Sequence, residues 1–368
     1  MSRTRIVGLI WFPTPGSISW LKRLMATAGG EVPRRRLPNW LIPAIGYLVS
    51  LTSLVWVYWG FDWKTELPKF AQANWWWVAL AVLADVAVYF CQGWRWSLLL
   101  RPVAPIRWLR SVQAVFIGLL ANEVLPLRTG ELIRGYVQAL WSRVPFSVIV
   151  SSMAIERLFD GIILVVGFYL TTLFVEVPRY LRDVSLTLAA VLAVTAVLIG
   201  IVMFYKRHAH AAVSRSRWAA VLWHVVEGLH TMGNSRSFYA AAAASVLYLV
   251  LQVLPVYALM RGYDIDLSLG AAAVVLVILR VGTVVPQAPG NVGGFQFFTV
   301  VALRLFDVDK ATATSFATIM FVVVTVPLWL GGAIAVALAG MNLKDLHGQA
   351  NASLQSVSAN GRETPTGG

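Results

Sequence analysis

Long apolar segments alternate with short polar segments over most of the chain, between residues 40 and 340. Each long segment is continuous, without the period-two alternation of a half-buried strand, and a membrane-spanning helix needs about 20 such residues. Segments with the length of a full span are 41–60, 75–94, 145–175, 185–205, 238–260 and 312–340. The pattern therefore predicts an all-α polytopic membrane protein with six full spans.

Two further apolar segments differ from these spans, because helix-breaking residues interrupt each of them near its middle. Residues 111–140 are broken at Pro126, and residues 267–305 are broken by Pro286, Pro289 and three glycines. Each apolar arm is short for a crossing. We interpret both segments as re-entrant helical hairpins.

The two broken segments occupy the same place in two similar units, at about 75–175 and 238–340. Each unit consists of a span, a broken segment and another span, and adding 163 to Pro126 and Gly130 gives Pro289 and Gly293. The predicted topology gives the units opposite orientations. This pattern indicates an inverted-topology repeat, an arrangement common in secondary transporters.

The composition agrees with a membrane protein, and the distribution of charge predicts its topology. The chain is 58% hydrophobic and 13% charged, with a mean hydropathy of +0.70 and a net charge of +13. Basic residues are concentrated in three segments, 1–37, 95–110 and 206–237. Cytoplasmic loops of membrane proteins carry such an excess. We therefore predict cytoplasmic termini in the cytoplasmic membrane, with the first hairpin entering from the cytoplasm and the second from outside, and we expect no nucleic-acid partner.

The domain organisation follows from the same pattern. Residues 38–345 form the transmembrane domain, and 206–237 form a cytoplasmic segment within it. The basic arm at 1–37 either lies along an anionic membrane surface or is disordered, and 346–368 is predicted as a disordered tail. The loop at 61–74 is expected outside the membrane. The chain has one cysteine, no HExxH and no phosphate-binding loop, so we expect no metal site, cofactor or catalytic residue.

Ionisable residues inside apolar segments are the main functional candidates, since each is costly to place in a membrane. In the first hairpin they are Glu123, Arg128, Glu131 and Arg134, next to the amide of Asn122. Backbone N–H groups beside a helix break, together with two arginines, are suited to an anionic head group such as phosphate. The alternative is that Glu131 and Arg134 form an internal salt bridge that only closes the hairpin.

The third full span carries the sequence Glu156-Arg157-Leu-Phe-Asp160, which places three charged residues inside a long helix. Glu156 and Asp160 share a helical face, and Arg157 lies within one turn of Asp160. Two acids and one base leave a negative charge that Arg128, Arg134 or a proton must balance. We interpret this cluster either as a proton or cation site that couples transport or as a brace between helices.

Two other charged residues lie inside or at the end of the second span. Asp85 stands midway along it, and we expect it to be either protonated or paired with Arg280 or Arg157. Arg95 is flanked by two tryptophans, so we predict that it is an anchor at the membrane interface, like the Trp75–Trp77 run at the other end of the span.

The second hairpin combines glycines, which let the backbone approach a ligand closely, with neutral polar side chains. Its candidate lipid-binding residues are Arg280, Pro289, Gly290, Asn291, Gly293 and Gln296. Irregular backbone deep in a membrane is stable only where protein or a water-filled cavity satisfies it. The alternative is tight helix packing, because Gly290 and Gly294 have the spacing of a GxxxG contact.

Three ordered motifs give the chain a resemblance to a known family. They are N-x-x-x-P-x-R-x-G-E-x-x-R at 122–134, E-R-x-x-D at 156–160 and P-x-x-P-G-x-x-G at 286–293. With these motifs the region from about 40 to 342 resembles the lysylphosphatidylglycerol synthase transmembrane, or flippase-like, family. The resemblance implies lipid translocation, with the hairpin motifs lining the lipid route. It does not imply aminoacyl transfer, which in bifunctional relatives belongs to a separate soluble domain. Gln296 departs from the glutamate of many relatives, so cargo or coupling is expected to differ.

Three functions are consistent with these observations. The first is a flippase that moves an anionic phospholipid or lipid-linked molecule between leaflets. The second is a membrane enzyme, or an accessory subunit that works with lipid-biosynthesis enzymes, in lipid or glycolipid modification, for which the embedded acids supply an acid and a base. The third is a secondary transporter of a small anion. In the first two, membrane lipids are the expected partners.

Overall fold

The computed structural model describes residues 41–125, 129–171, 230–233, 235–283 and 285–340, with isolated positions between 183 and 197. Within these ranges the regular secondary structure is helical, without strands, as predicted. The helices are α1 (Leu41–Tyr58), α2 (Trp63–Gln72), α3 (Trp75–Leu100), α4 (Trp108–Val124), α5 (Gly130–Ser142), α6 (Phe146–Thr171), α7 (Arg236–Gly262), α8 (Leu269–Gly282), α9 (Gly294–Arg304) and α10 (Lys310–Leu338). A short 3-10 helix, Pro289–Asn291, lies between α8 and α9.

Three of the described helices, α3, α7 and α10, are long and apolar enough to cross a membrane. Their first turns are fixed by side-chain caps, because Asn74, Ser235 and Asp309 each accept a hydrogen bond from a backbone N–H of the following turn. α6 matches α3 in length at 26 residues, but three charged residues lie near its middle. The predicted span 185–205, the arm 1–37, most of the segment 206–237 and the tail 346–368 lie outside the described residues.

The prediction of a loop at 61–74 is wrong, because this segment contains the helix α2. Asp62 caps the helix by accepting a hydrogen bond from Lys64 N at 3.0 Å. Glu66 is 4% exposed and accepts a hydrogen bond from the Ser315 hydroxyl of α10 at 2.8 Å. The mixed polarity that suggested a loop is that of a short helix in which Glu66 is buried against α10 and the other described residues are exposed.

The helices of both broken segments end at the predicted interruptions. α4 ends at Val124 and α5 begins at Gly130, and these two helices are antiparallel, since the guanidinium of Arg110 in α4 lies 5.1 Å from the ring centre of Trp141 in α5. α4 and α5 touch closely at Gly118 and Gly130, where a side chain on Gly130 would collide with the Gly118 carbonyl. Small residues of this kind allow two helix backbones to meet.

The apolar core of the described residues has two large parts, one around each broken segment, and a small third cluster of Val88, Cys91 and Tyr248. The first contains the buried side chains of α8 and α9, and the second contains those of α4 and α5. The long helices α3, α7 and α10 contribute to both parts, for example through Val78 and Trp96 of α3. They therefore form a common frame that holds the broken segments at its two ends.

Candidate functional site

A network of charged side chains joins α3, α5 and α6, and its centre is the carboxylate of Glu156. This side chain is fully buried and accepts hydrogen bonds from Arg95 at 2.9 Å and from Arg134 at 3.0 Å. Arg134 donates a second hydrogen bond, to Oε1 at 3.3 Å, and the amide of Gln92 donates to the same oxygen at 3.2 Å. A buried carboxylate needs such partners, because removing a charge from water is costly unless it is paired and hydrogen-bonded.

The network continues from this buried centre to a half-exposed edge. Arg134 also binds Glu131 at 2.9 Å, and Arg95 also contacts Asp160. Arg157 closes the edge, with Glu131 at 2.8 Å and Asp160 at 3.5 Å. The side chain of Arg157 is 51% exposed, against 0% for Glu156. Burial therefore falls steadily from one side of the network to the other.

The described network is electrically balanced and is packed against aromatic rings. It contains three arginines and three acids, which are Arg95, Arg134, Arg157, Glu131, Glu156 and Asp160. The guanidinium of Arg134 lies 4.7 Å from the ring centre of Trp96, and that of Arg95 lies 4.4 Å from the ring centre of Tyr248. Cation–π contacts of this kind stabilise desolvated arginines. Arg95 and Arg134 thus balance the extra acid predicted for α6.

The prediction that Arg95 is an interface anchor is wrong, because its side chain is fully buried at the centre of this network. Flanking tryptophans are typical of the interface, but Trp96 is itself buried and donates a hydrogen bond to Ser152 at 2.9 Å. Helical spacing would have given a better signal. Asp85, Gln92 and Arg95 lie seven and three residues apart, on one side of α3.

Asp85, which the sequence predicts to pair with Arg280 or Arg157, makes no direct ion pair with either among the described residues, although Arg280 is near enough to interact with it electrostatically. Arg157 pairs within the network, and Arg280 contacts the side-chain amide of Gln252. Asp85 is 6% exposed, and its Oδ2 has no hydrogen-bond partner among the described residues. The alternative form predicted for Asp85, a protonated carboxyl, stays a prediction.

The two broken segments meet where α4 ends. The carboxylate of Glu123 lies against Gly290, so that a Cβ at this glycine would be 2.9 Å from Glu123 Oε2. The same oxygen accepts a hydrogen bond from the indole of Trp329 in α10 at 3.3 Å. Asn122 Oδ1 accepts one from Gly130 N at 2.8 Å, which connects both sides of the first break. The sequence-predicted residues Asn122, Glu123 and Gly290 are therefore brought together.

Two backbone N–H groups at the second break are bonded by neutral side chains, while the buried Oε1 of Gln287 has no partner among the described residues. Ser50 of α1 accepts a hydrogen bond from Ala288 N at 2.8 Å, and Gln296 accepts one from Gly293 N at 2.8 Å. Gly293 has φ +87° and lies against the Ser50 carbonyl, so close approach of α1 explains this glycine. Within the described part of the chain, Gln296 acts as a helix cap of α9.

The family follows from comparison with known proteins. A model described as "Lysylphosphatidylglycerol synthase TM region" matches residues 44–332, from α1 to the last turns of α10. The chain belongs to this family. This confirms the resemblance seen in the three sequence motifs. Comparison with curated proteins and with solved structures gives no match.

All three motifs of this lysylphosphatidylglycerol synthase TM-region protein contribute to the two contact regions described above. The first and second motifs form the charge network, whereas the third forms the break that contacts Glu123. Arg128, a predicted head-group ligand, lies outside the described residues. The contributors that sequence reasoning missed include Arg95, Gln92, Ser50 and Trp329, because each lies far along the chain from the motif that it contacts.

Proposed function

We propose that this lysylphosphatidylglycerol synthase TM-region protein is a lipid flippase, which moves an anionic phospholipid or lipid-linked molecule between leaflets of the cytoplasmic membrane. The observation that carries the proposal is the graded burial of the charge network. Its inner ion pairs are fully desolvated, while Arg157 is half-exposed although it lies midway along the 26-residue helix α6. Charges inside a membrane segment mark substrate pathways.

The proposed mechanism is an exchange of partners at Arg157. A guanidinium has five N–H donors in a planar fork that matches a phosphate. The pairs of Arg157 with Glu131 and Asp160 are the least buried of the network, so they are the pairs that an incoming phosphate can reach and displace. The buried pairs of Glu156 stay in place and keep α3, α5 and α6 together. A carboxylate that the phosphate displaces from Arg157 keeps its second partner, which is Arg134 for Glu131 and Arg95 for Asp160. The displacement therefore leaves little unpaired charge.

The proposal includes six full spans and two re-entrant pairs, α4–α5 and α8–α9, in an inverted-topology repeat. Two observations support it. In both halves of the chain, two short helices separated by a break lie between two long helices, and the two breaks meet at Glu123 and Gly290. This arrangement is typical of transporters in which broken helices line a central site.

The proposed orientation places both termini in the cytoplasm. Arginines stand beside the ends of the helices at one end of the frame; they are Arg101, Arg107, Arg110, Arg143 and Arg236. The opposite end carries Asp62, Asp264, Asp266, Asp307 and Asp309 together with the cations Lys64, Arg261, Arg304 and Lys310. The end whose described charges are all basic is assigned to the cytoplasm, because the basic sequence segments 1–37 and 206–237 follow the positive-inside rule.

A leaflet-resolved assay tests the proposal. The full chain is reconstituted into liposomes that contain phosphatidylglycerol with a fluorescent acyl chain, and dithionite quenches the probe in the outer leaflet. We expect additional quenching in vesicles that contain the protein, since inner-leaflet lipid becomes accessible. Unchanged quenching across several anionic head groups would refute the flippase function. Covalently altered lipid, measured by mass spectrometry of the same vesicles, would instead indicate the membrane enzyme.

Arginine variants test the site in the same assay. Arg134→Ala and Arg128→Ala are expected to lose translocation while the protein still inserts, because each removes a cation from the first broken segment. Arg261→Ala is the control, since this arginine lies at the end of α7 and pairs with the exposed Asp266 at 2.6 Å. If Arg134→Ala and Arg128→Ala both keep full activity, the first broken segment has only a structural role.

A further inference from the structure

An apolar groove follows the outward face of α1, away from the charge network. It has a volume of about 350 Å³ and is lined by Leu51, Thr52, Val55, Trp56 and Trp59. The hydroxyl of Thr52 bonds to the backbone carbonyls of Leu48 and Val49, so its methyl group is left to line the groove. The walls therefore present hydrocarbon surface along two turns of the helix.

The length of this groove matches one acyl chain in one leaflet. Leu51 and Trp59 are eight residues apart, which is about 12 Å along a helix. Half of a hydrocarbon core of about 30 Å is about 15 Å. The groove therefore suits a single lipid chain that extends from the middle of the membrane to the end of α1.

A cation stands at the Trp59 end of the groove. Lys310, the first residue of α10, donates a hydrogen bond to the carbonyl oxygen of Trp59 at 3.0 Å, and its ammonium lies 5.0 Å from the ring centre of Trp56. An ammonium has three N–H donors. The bond to Trp59 uses one of them, and the geometry leaves the charge beside the point where the head group of a lipid in the groove would lie.

The buried side of α1 packs on the second broken segment, while the groove lies on its exposed side. Ser50 is buried and accepts the hydrogen bond from Ala288 N in the break. The ring of Trp56, which lines the groove, packs edge-on against Phe297 of α9 with the ring centres 5.0 Å apart. A chain in the groove would thus lie along a helix that is held against the second broken segment.

We infer that this groove is a binding site for an anionic phospholipid of the leaflet at the Trp59 end, with one acyl chain against α1 and the phosphate at Lys310. The inference rests on the proposed function, for which it supplies the place where a lipid resides after leaving, or before entering, the central site. Asp62 and Asp309 stand at the same end, but each caps a helix by accepting a backbone N–H, whereas the ammonium of Lys310 offers N–H donors to an acidic head group. Neither the family motifs nor the charge network includes these residues.

Photo-crosslinking at equilibrium tests the inference without requiring translocation. Full-length protein in nanodiscs is incubated with phosphatidylglycerol that carries a diazirine on its acyl chain, and adducts are mapped by mass spectrometry. Excess unlabelled phosphatidylglycerol or phosphatidylcholine serves as competitor. The variants are Lys310→Gln and the control Lys64→Gln, which removes an exposed lysine from the same end of the molecule. Elution profile and melting temperature verify that both variants fold.

We expect adducts between Leu51 and Trp59 that phosphatidylglycerol displaces and phosphatidylcholine does not. In Lys310→Gln they should decrease by about tenfold or more, the loss expected for one hydrogen bond to a charged group. Lys64→Gln should resemble the wild type. Equal displacement by both lipids, or unchanged adducts in Lys310→Gln, would overturn the inference and leave only annular lipid at α1. Crosslinking measures lipid binding, whereas the dithionite assay measures lipid translocation. A negative crosslinking result therefore does not refute the flippase function, and a negative dithionite assay does not refute binding in the groove.

Discussion

The two broken segments have similar helices but different chemistry. The pair α4–α5 carries Glu131 and Arg134, which belong to a network of six charged side chains around a buried carboxylate. At the break of the pair α8–α9, two backbone N–H groups have neutral partners, with the hydroxyl of Ser50 and the amide of Gln296 accepting their hydrogen bonds. Arg280, the charged residue of α8, contacts Gln252 instead of the break.

This difference indicates that the two broken segments have different roles. Charges that are paired but partly exposed can exchange partners, so the α4–α5 side is suited to an anionic head group. Glycines and amides at the α8–α9 break allow α1 and α4 to approach the backbone closely. The α8–α9 segment is therefore suited to form a wall of the proposed lipid pathway. The following variants test whether stability depends on charge at the first pair and on close packing at the second.

Glu156→Gln is expected to have the largest effect. It leaves Arg95 and Arg134 buried without their shared carboxylate, and breaking a buried pair from one side costs about 3–5 kcal/mol. We expect a much lower melting temperature in nanodiscs. The control is Glu123→Gln, because an amide oxygen can still accept the hydrogen bond from Trp329, and its loss should be within about 1 kcal/mol. Equal melting temperatures for the two variants would contradict the central role of Glu156.

Gly293→Ala tests close packing at the second pair. A methyl group there would collide with the Ser50 carbonyl of α1, at a cost of about 1–3 kcal/mol in addition to the strain of a positive φ. Gly60→Ala is a matched control. It has a similar φ of +73°, but nothing lies within 4 Å of the added methyl group. The difference between their unfolding free energies therefore isolates the contact with α1, and no difference would argue against this contact.

Gln296→Ala should have the smallest effect. It should lower the free energy of unfolding by about 1 kcal/mol, because it removes one cap of α9. Gln296→Glu keeps an acceptor oxygen but buries a carboxylate without a cationic partner among the described contacts, so it is expected to lower stability more than Gln296→Ala. Thermal unfolding of both variants measures the cap. If Gln296→Ala unfolds like the wild type but translocation changes, the residue acts in transport, as the departure from the family motif predicts.

The sequence predicted the elements near its motifs better than the contacts between them. Pro126 and the glycines located both breaks, because such residues end helices wherever they occur. The spacing of Glu156 and Asp160 predicted their common face. The partners of these residues were missed for a physical reason: Arg95 has the flanking tryptophans of an interface residue, and only packing of α3 against α6 distinguishes a buried arginine from an anchor.

The contacts of the second break show the same limit. Ser50 and Gly293 are more than two hundred residues apart, and no local pattern indicates that a hydroxyl of α1 satisfies a backbone N–H at the break. Helix α2 was missed because ten residues of mixed polarity resemble a loop until Glu66 is seen buried against α10. Local propensity thus predicted the segments, whereas tertiary packing determined the site.

A density map of the full chain in nanodiscs rich in phosphatidylglycerol tests the central claim most directly. The claim is that an anionic head group exchanges with the carboxylates at the exposed edge of the charge network. It predicts head-group density within hydrogen-bonding distance of the Arg157 guanidinium, with Glu131 or Asp160 displaced and the pairs of Glu156 intact. A map that resolves lipid around the helices, leaves all the ion pairs of Arg157 unchanged and shows no density beside them would contradict it.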